Sequence, residues 1–157
     1  MQIVIPYTPR KLQAKLHADL DNHRWGVIVC HRRMGKTVMA INHLLRAAVL
    51  CEKPSPRYAY LAPTYRQAKA VAWDYLKQFA SKIPGTKFHE TELRCDLPNG
   101  ARISLLGAEN PDSLRGIYLD GCFMDAVADM PESVLPEIIR PALSDRKRRC
   151  FFVGTPT

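Results

Sequence analysis

The order of apolar and polar positions along the chain predicts alternating helices and strands. Leucines recur at every fourth residue from Leu12 to Leu20, which is the spacing of an amphipathic helix. Short, mainly apolar runs typical of buried strands lie at 25–30, 58–62, 122–125 and 149–154. Segments of helical periodicity alternate with them, at 37–51, 64–80 and 131–143. Strands and helices that alternate in this way are typical of a parallel sheet covered on both faces.

The helix over 64–80 has a recognisable start, because Thr64-x-x-Gln67 is a capping-box pattern. We predict that its core face consists of Ala68, Val71, Tyr75, Leu76 and Phe79. Further along, two extended runs flank Asn99-Gly100, and Asn-Gly is a strong signal for a tight turn between antiparallel strands. The fold expected is therefore α/β, with a mainly parallel central sheet flanked by helices and a β-hairpin insertion around 92–106.

The stretch CHRRMGKT, residues 30–37, lies between the first predicted strand and the helix that follows it. Its end, Gly35-Lys36-Thr37, matches the end of the phosphate-binding pattern G-x-x-x-x-G-K-[ST], although Cys30 replaces the first glycine. At such a corner, backbone N–H groups and the positive helix end face phosphates. Lys36 is expected to reach the β- and γ-phosphates, and the Thr37 hydroxyl is expected to bind Mg²⁺. The remaining loop residues, His31, Arg32, Arg33 and Met34, are expected to surround the nucleotide, with the two arginines adding positive charge.

A second candidate ligand for Mg²⁺ is Asp125, which ends the apolar run CFMD. ATPases with a phosphate loop use an aspartate at the end of a neighbouring buried strand in this way. Asp120 is the competing candidate, although Gly121 interrupts the strand pattern after it. Hydrolases of this type commonly place a glutamate at the next position, but here that position is Ala126. Asp129 is the nearest carboxylate that follows.

The charge, cysteine content and apolar runs of the chain indicate which kinds of partner and site to expect. The formal net charge is +8 and the pI is about 9.4, which favours a polyanionic partner. The basic run at 146–149 is either a DNA contact or a solvated turn. The five cysteines include no C-x-x-C pair, which argues against a disulfide framework and a zinc site. No apolar run approaches the roughly 18 residues of a membrane span, so no membrane partner is expected.

Taken in order, these pieces resemble the ATPase domain of the large terminase subunit of tailed bacteriophages, a RecA-like (ASCE) P-loop NTPase. Pro9-x-x-x-Gln13 is similar to that family's adenine-recognition segment, which assigns Gln13 to nucleotide binding. HRRMGKT is similar to its arginine-bearing Walker A motif, and CFMD to its Walker B motif. DSLRG, residues 112–116, resembles a segment that carries an arginine in the family, here Arg115. GTPT at the end of the chain resembles the coupling motif, in which Thr155 would sense the γ-phosphate.

The resemblance implies a motor that uses ATP and Mg²⁺ to move double-stranded DNA into a procapsid. Its catalytic positions would be Arg32, Arg115 as an arginine finger in cis or in trans, and Ala126 in place of the catalytic glutamate. The partners implied are double-stranded DNA, identical subunits in a ring on the portal, and the small terminase subunit. The location implied is the cytoplasm of the infected host, with transient docking on the procapsid.

The resemblance also implies that residues 1–157 form the N-terminal ATPase domain, without the family's C-terminal nuclease domain. With Ala126, we expect this chain to hydrolyse ATP poorly. Two other interpretations remain open from the sequence. One is a superfamily 2 helicase, which shares the glutamine segment and both Walker motifs. The other is an ATP-binding interaction module that never hydrolyses its nucleotide.

Overall fold

The computed structural model describes residues 7–9, 11–21, 25–29, 35–126, 129–144 and 149–154. Its helices are α1 Lys11–Asp21, α2 Lys36–Leu50, α3 Tyr65–Ala68, α4 Asp74–Ala80 and α5 Arg140–Ser144. Wider π-helical turns, Lys69–Trp73 and Val134–Ile139, lead into α4 and α5, and a 3-10 turn covers Pro111–Leu114. The strands are β1 Trp25–Val29, β2 Arg57–Ala62, β3 Lys87–His89, β4 Arg94–Asp96, β5 Arg102–Gly107, β6 Gly121–Asp125 and β7 Arg149–Gly154.

The strands form one seven-stranded sheet in the order β1-β7-β6-β2-β5-β4-β3. Neighbours from β1 to β5 in this order are parallel, and the two remaining pairs, β5–β4 and β4–β3, are antiparallel. The predicted hairpin is the pair β4–β5, with Gly100 at the turn in the left-handed conformation, φ +90°. Because β5 also pairs with β2, this hairpin extends the central sheet. The α/β fold class with a mainly parallel sheet is confirmed.

Helices cover both faces of the sheet, and the alternation of side chains along β2 shows how. Tyr58, Tyr60 and Ala62 belong to the hydrophobic core beneath α2 and the helical segment 65–80. Ala59 and Leu61 point the other way, into a second core beneath residues 134–142. A strand that contributes to both cores is buried on both faces, which explains why its sequence after Arg57 is mainly apolar.

The helical segment 65–80 starts as predicted but turns a different face to the core. The Thr64 side chain accepts a hydrogen bond from the Gln67 backbone N–H at 3.1 Å, which caps the helix. The predicted core residues Val71 and Tyr75 are 42% and 40% exposed, so that part of the prediction was wrong. The π-helical turn between α3 and α4 widens the spacing of buried positions to four residues. The buried side chains are therefore Ala68, Ala72, Trp73, Leu76, Phe79 and Ala80.

Candidate functional site

The phosphate-loop lysine and threonine lie in the first turn of α2, directly after Gly35. Gly35 has φ +76°, in the left-handed region that glycine adopts at little cost. Its carbonyl oxygen accepts a hydrogen bond from the Met39 backbone N–H at 3.0 Å, which closes the first turn. Lys36 and Thr37 therefore stand at the positive end of a 15-residue helix, the position predicted for a phosphate site.

Gln13, assigned by resemblance to adenine recognition, lies beside the phosphate loop. Its side chain is buried, and its amide Nε2 donates a hydrogen bond to the Gly35 carbonyl oxygen at 3.0 Å. This contact ties α1 to the loop's last residue. It shows that Gln13 belongs to the same part of the molecule as Lys36, and its contact with adenine stays a prediction.

The two predicted Mg²⁺ ligands meet through a residue that the sequence analysis did not single out, Tyr60. The Tyr60 hydroxyl donates a hydrogen bond to Oδ2 of Asp125 at 2.6 Å. The Thr37 side chain acts on the same hydroxyl, because it lowers the pKa of Tyr60 as a nearby hydrogen-bond donor does. Both side chains therefore lie close to the Tyr60 hydroxyl. Thr37 on α2 and Asp125 at the end of β6 therefore converge at the carboxyl edge of the sheet.

The chemistry of these groups suits a hard divalent cation. Mg²⁺ prefers oxygen ligands, and the hydroxyl of Thr37 and the carboxylate of Asp125 both supply them. Both residues are only partly buried, so a nucleotide and water can approach them. Tyr60, in contrast, is buried, and burial raises its pKa, with the neighbouring Asp125 carboxylate adding to the rise. Its hydroxyl therefore keeps its proton and acts as a donor toward Asp125.

Asp120, the competing candidate, lies at the opposite edge of the sheet. It precedes β6, and its Oδ2 accepts a hydrogen bond from the backbone N–H of Arg57, the first residue of β2, at 2.9 Å. Asp125 lies at the other end of β6, so Asp120 is remote from the phosphate loop. Its contact with Arg57 instead stabilises the amino end of β2.

The residue after Asp125 has an unusual backbone. Ala126 has φ +55°, a left-handed conformation that costs a residue with a side chain about 1–2 kcal/mol. Its carbonyl oxygen accepts a hydrogen bond from the Asp129 backbone N–H at 2.9 Å. Backbone strain of this kind often occurs at functional sites. The position expected to carry the catalytic glutamate is thus held in a defined conformation beside Asp125.

Arg115 follows the 3-10 turn Pro111–Leu114 and makes ion pairs within its own chain. Its Nε lies 3.0 Å from Oδ1 of Asp112, and one terminal nitrogen lies 3.2 Å from Oε2 of Glu137. Its side chain is 52% exposed, and exposed ion pairs of this kind are weak. Leu114, just before it, packs in the core on the face opposite α2. In this arrangement Arg115 is accessible to another molecule, and its role as an arginine finger stays a prediction.

Several predicted site residues lie outside the described part of the chain. They are Cys30, His31, Arg32, Arg33, Met34 and Thr155. Most of the basic run, residues 146–148, also lies outside it. Their assigned roles therefore stay predictions from the sequence.

Comparison with known proteins identifies the family. The family model described as "Terminase large subunit, T4likevirus-type, N-terminal" matches residues 27–157. The chain belongs to the large terminase subunit family. The match includes the segments that were compared with the Walker A, Walker B and coupling motifs, and it favours the terminase over the helicase interpretation.

Individual large terminases are similar to this chain in sequence or in fold. The large terminase subunit of Thermus virus P23-45 is 26% identical over 172 residues, which cover 98% of this chain and 35% of that protein. Among solved structures, the ATPase domain of the Thermus phage P74-26 large terminase has a TM-score of 0.75 at 24% identity, covering 98% of this chain and 67% of that one. The large terminase of bacteriophage HK97 has a TM-score of 0.79 at 16% identity, covering 96% of this chain and 33% of that one.

A further structure of similar fold is the large terminase of a thermophilic bacteriophage in complex with ADP, with a TM-score of 0.77 at 20% identity. The structural match covers 94% of this chain and 39% of that terminase. The chain spans about a third of the length of the curated terminases that it matches. Among the residues that the structure describes, no helix has the length and apolar character needed to cross a membrane.

Proposed function

We propose that this domain binds Mg·ATP and that, within a full-length large terminase, it couples ATP hydrolysis to the movement of double-stranded DNA into a procapsid. The observation that carries the proposal is the convergence of Thr37 and Asp125 at the carboxyl edge of the sheet, on the Tyr60 hydroxyl. The family match supports the motor assignment. A terminase of similar fold in complex with ATP-γ-S supports the choice of nucleotide.

Each site residue has a role in this proposal. Lys36 binds the β- and γ-phosphates from the first turn of α2, while Thr37 and Asp125 hold the Mg²⁺ that offsets the phosphate charge. Gln13 contacts the adenine or the loop that surrounds it. Arg32 places positive charge at the γ-phosphate, and Thr155 senses whether that phosphate is present.

Ala126 sets the rate of the proposed reaction. In related hydrolases, a glutamate at this position orients or activates the attacking water, and a well-placed base is worth roughly 10²–10⁴-fold in rate. Alanine offers neither a carboxylate nor a hydrogen bond. We therefore propose that this chain binds ATP but turns it over slowly.

The substitution Ala126→Glu tests this proposal, with Ala126→Gln as the matched control. Both variants place a long side chain on the same left-handed backbone, but only glutamate supplies a carboxylate. Steady-state ATPase activity in the assembled motor should rise by roughly 10²–10⁴-fold for Ala126→Glu and stay near the parent rate for Ala126→Gln. Equal rates for the two variants, or brisk hydrolysis by the parent, would show that another group such as Asp129 is the base.

The proposed assembly is a ring of identical subunits docked on the portal around DNA, working with the small terminase subunit in the host cytoplasm. The net charge of +8 suits a polyanionic partner. The exposed Arg115 would reach the γ-phosphate of a neighbouring subunit after exchanging Asp112 and Glu137 for it. Since exposed ion pairs are weak, that exchange meets little resistance.

A further inference from the structure

Tyr60 stands where two elements of the proposed Mg²⁺ site come together. It lies on β2, which pairs with β6 in a register that sets Tyr60 beside Phe123. Side chains two residues apart on a strand share a face, so Tyr60 and Asp125 lie on the same face of the sheet. This is the face that packs against α2, the helix that carries Thr37. The phenol ring is buried at 1% exposure, and its hydroxyl lies at the edge of the core.

We propose that Tyr60 is a positioning residue that holds Thr37 and Asp125 in the orientation in which they bind Mg²⁺ together. The inference rests on the proposed function, because it assumes that these two residues are the ligands. The hydroxyl reaches both the helix that brings the phosphate loop and the strand that brings the carboxylate. No backbone hydrogen bond of a parallel sheet can supply that link, since α2 lies outside the sheet.

The direction of the hydrogen bonds supports this role. The Tyr60 hydroxyl donates to Oδ2 of Asp125, which limits rotation of the carboxylate. A hydroxyl that donates to one partner can accept from another, and the Thr37 side chain is the available donor. Partners behind metal ligands typically contribute 10–100-fold in metal affinity, because they orient the ligands before the ion arrives.

Tyr58 shows what a purely structural tyrosine looks like in the same strand. It lies two residues earlier, shares the face of Tyr60 and is also buried. Its hydroxyl donates to the backbone carbonyl of Ala47, in α2, at 3.3 Å. Removal of either hydroxyl takes away a partly buried hydrogen bond between β2 and its surroundings. Only the Tyr60 hydroxyl contacts the proposed ligands.

The experiment compares Tyr60→Phe with Tyr58→Phe, both of which keep the ring and lose the hydroxyl. A fluorescent ATP analogue is titrated into the protein in EDTA, and then at fixed analogue concentration with increasing Mg²⁺. We expect Tyr60→Phe to require roughly 10–100-fold more Mg²⁺ for half-maximal binding, with unchanged binding in EDTA. Tyr58→Phe should follow the parent in both titrations. Binding of Mn²⁺ in the presence of nucleotide, measured by electron paramagnetic resonance, should weaken in the same order.

Two results would overturn the inference. One is a Tyr60→Phe variant that needs the same Mg²⁺ concentration as Tyr58→Phe, which would make the hydroxyl merely structural. The other is tighter Mg²⁺ binding by Tyr60→Phe, which would mean that the hydroxyl competes with the ion for its ligands. A parent protein that binds no nucleotide at any Mg²⁺ concentration would instead overturn the proposed function itself.

Discussion

The substitution Gly107→Ala should destabilise the carboxyl edge of the sheet, where β5 ends against the start of α3. A Cβ atom at this glycine would lie 2.2 Å from the backbone nitrogen of Tyr65 and 2.7 Å from its Cα. It would also lie 2.5 Å from Oε1 of Glu109, the oxygen that accepts a hydrogen bond from the Tyr65 backbone N–H at 2.7 Å. The Tyr65 atoms belong to the backbone, and the Glu109 oxygen is held by its hydrogen bond, so neither can easily move away from an added methyl group.

The expected loss has two parts. Overpacking against backbone atoms typically costs about 1–3 kcal/mol. Displacing Glu109 from the helix start adds about 1 kcal/mol for the lost hydrogen bond. Since the φ of Gly107 lies outside the left-handed region, no conformational penalty contributes. The total of about 2–4 kcal/mol corresponds to a fall in Tm of roughly 5–15 °C for a chain of this size.

Thermal and urea unfolding measure this loss, with Glu109→Ala as the control that removes the hydrogen bond alone. Glu109→Ala should lower the free energy of unfolding by about 1 kcal/mol, and Gly107→Ala should lower it by clearly more. Equal stabilities for the two variants would refute the steric argument. So would a Gly107→Ala protein as stable as the parent, because a tolerated methyl group means that α3 does not approach β5 this closely.

Two further predictions concern ionisation and assembly. Burial lowers the pKa of His17 below 6.5 in the folded chain, and the nearby charge of Arg46 lowers it further. The unfolded chain therefore binds a proton at this histidine more readily than the folded chain does. The free energy of unfolding should be greatest above about pH 6.5 and should fall as the pH drops below that value. His17→Gln should reduce the difference in Tm between pH 7.5 and 5.5, and an unchanged difference would contradict this cause. In an Ala126→Glu background, Arg115→Ala should leave ATP binding by the monomer intact but abolish hydrolysis in the ring. Rings mixed from Arg115→Ala and Lys36→Ala subunits should recover some hydrolysis, because each variant supplies the group that its neighbour lacks. If no mixture recovers hydrolysis, Arg32 acting in cis is favoured instead.

The strand–helix alternation could be predicted from the sequence because strands such as β2 and β6 are buried on both faces and have mainly apolar sequences, whereas the helices repeat their apolar residues at helical spacing. The position of Lys36 and Asp125 at one edge could be predicted for a related reason, because one follows and the other ends a parallel strand, and the carboxyl ends of parallel strands meet at the same edge. The hairpin turn could also be predicted, because the signal for it lies in two adjacent residues, Asn99 and Gly100. Its chemistry requires a left-handed glycine, and the structure has one there.

Tyr60 could not be recognised in the same way. In the run YAYLA it has the pattern of a core aromatic, and its partners are 23 residues before it and 65 after it. Their meeting depends on β2 lying next to β6, and no local pattern specifies that order. The exposure of Val71 and Tyr75 was missed for a different reason, because a π-helical turn changes the helix phase without a clear sequence signal.

The central claim, that α2 presents a Mg·ATP site, is tested most directly by titrating ATP into the parent and into Lys36→Ala by calorimetry. Lys82→Ala, which removes an exposed lysine outside the site, serves as the control. Loss of a charged contact worth about 1.5–3 kcal/mol should weaken binding by roughly 10–100-fold in Lys36→Ala and leave Lys82→Ala at the parent affinity. Equal affinity of the parent and Lys36→Ala for ATP in the presence of Mg²⁺ would contradict the account.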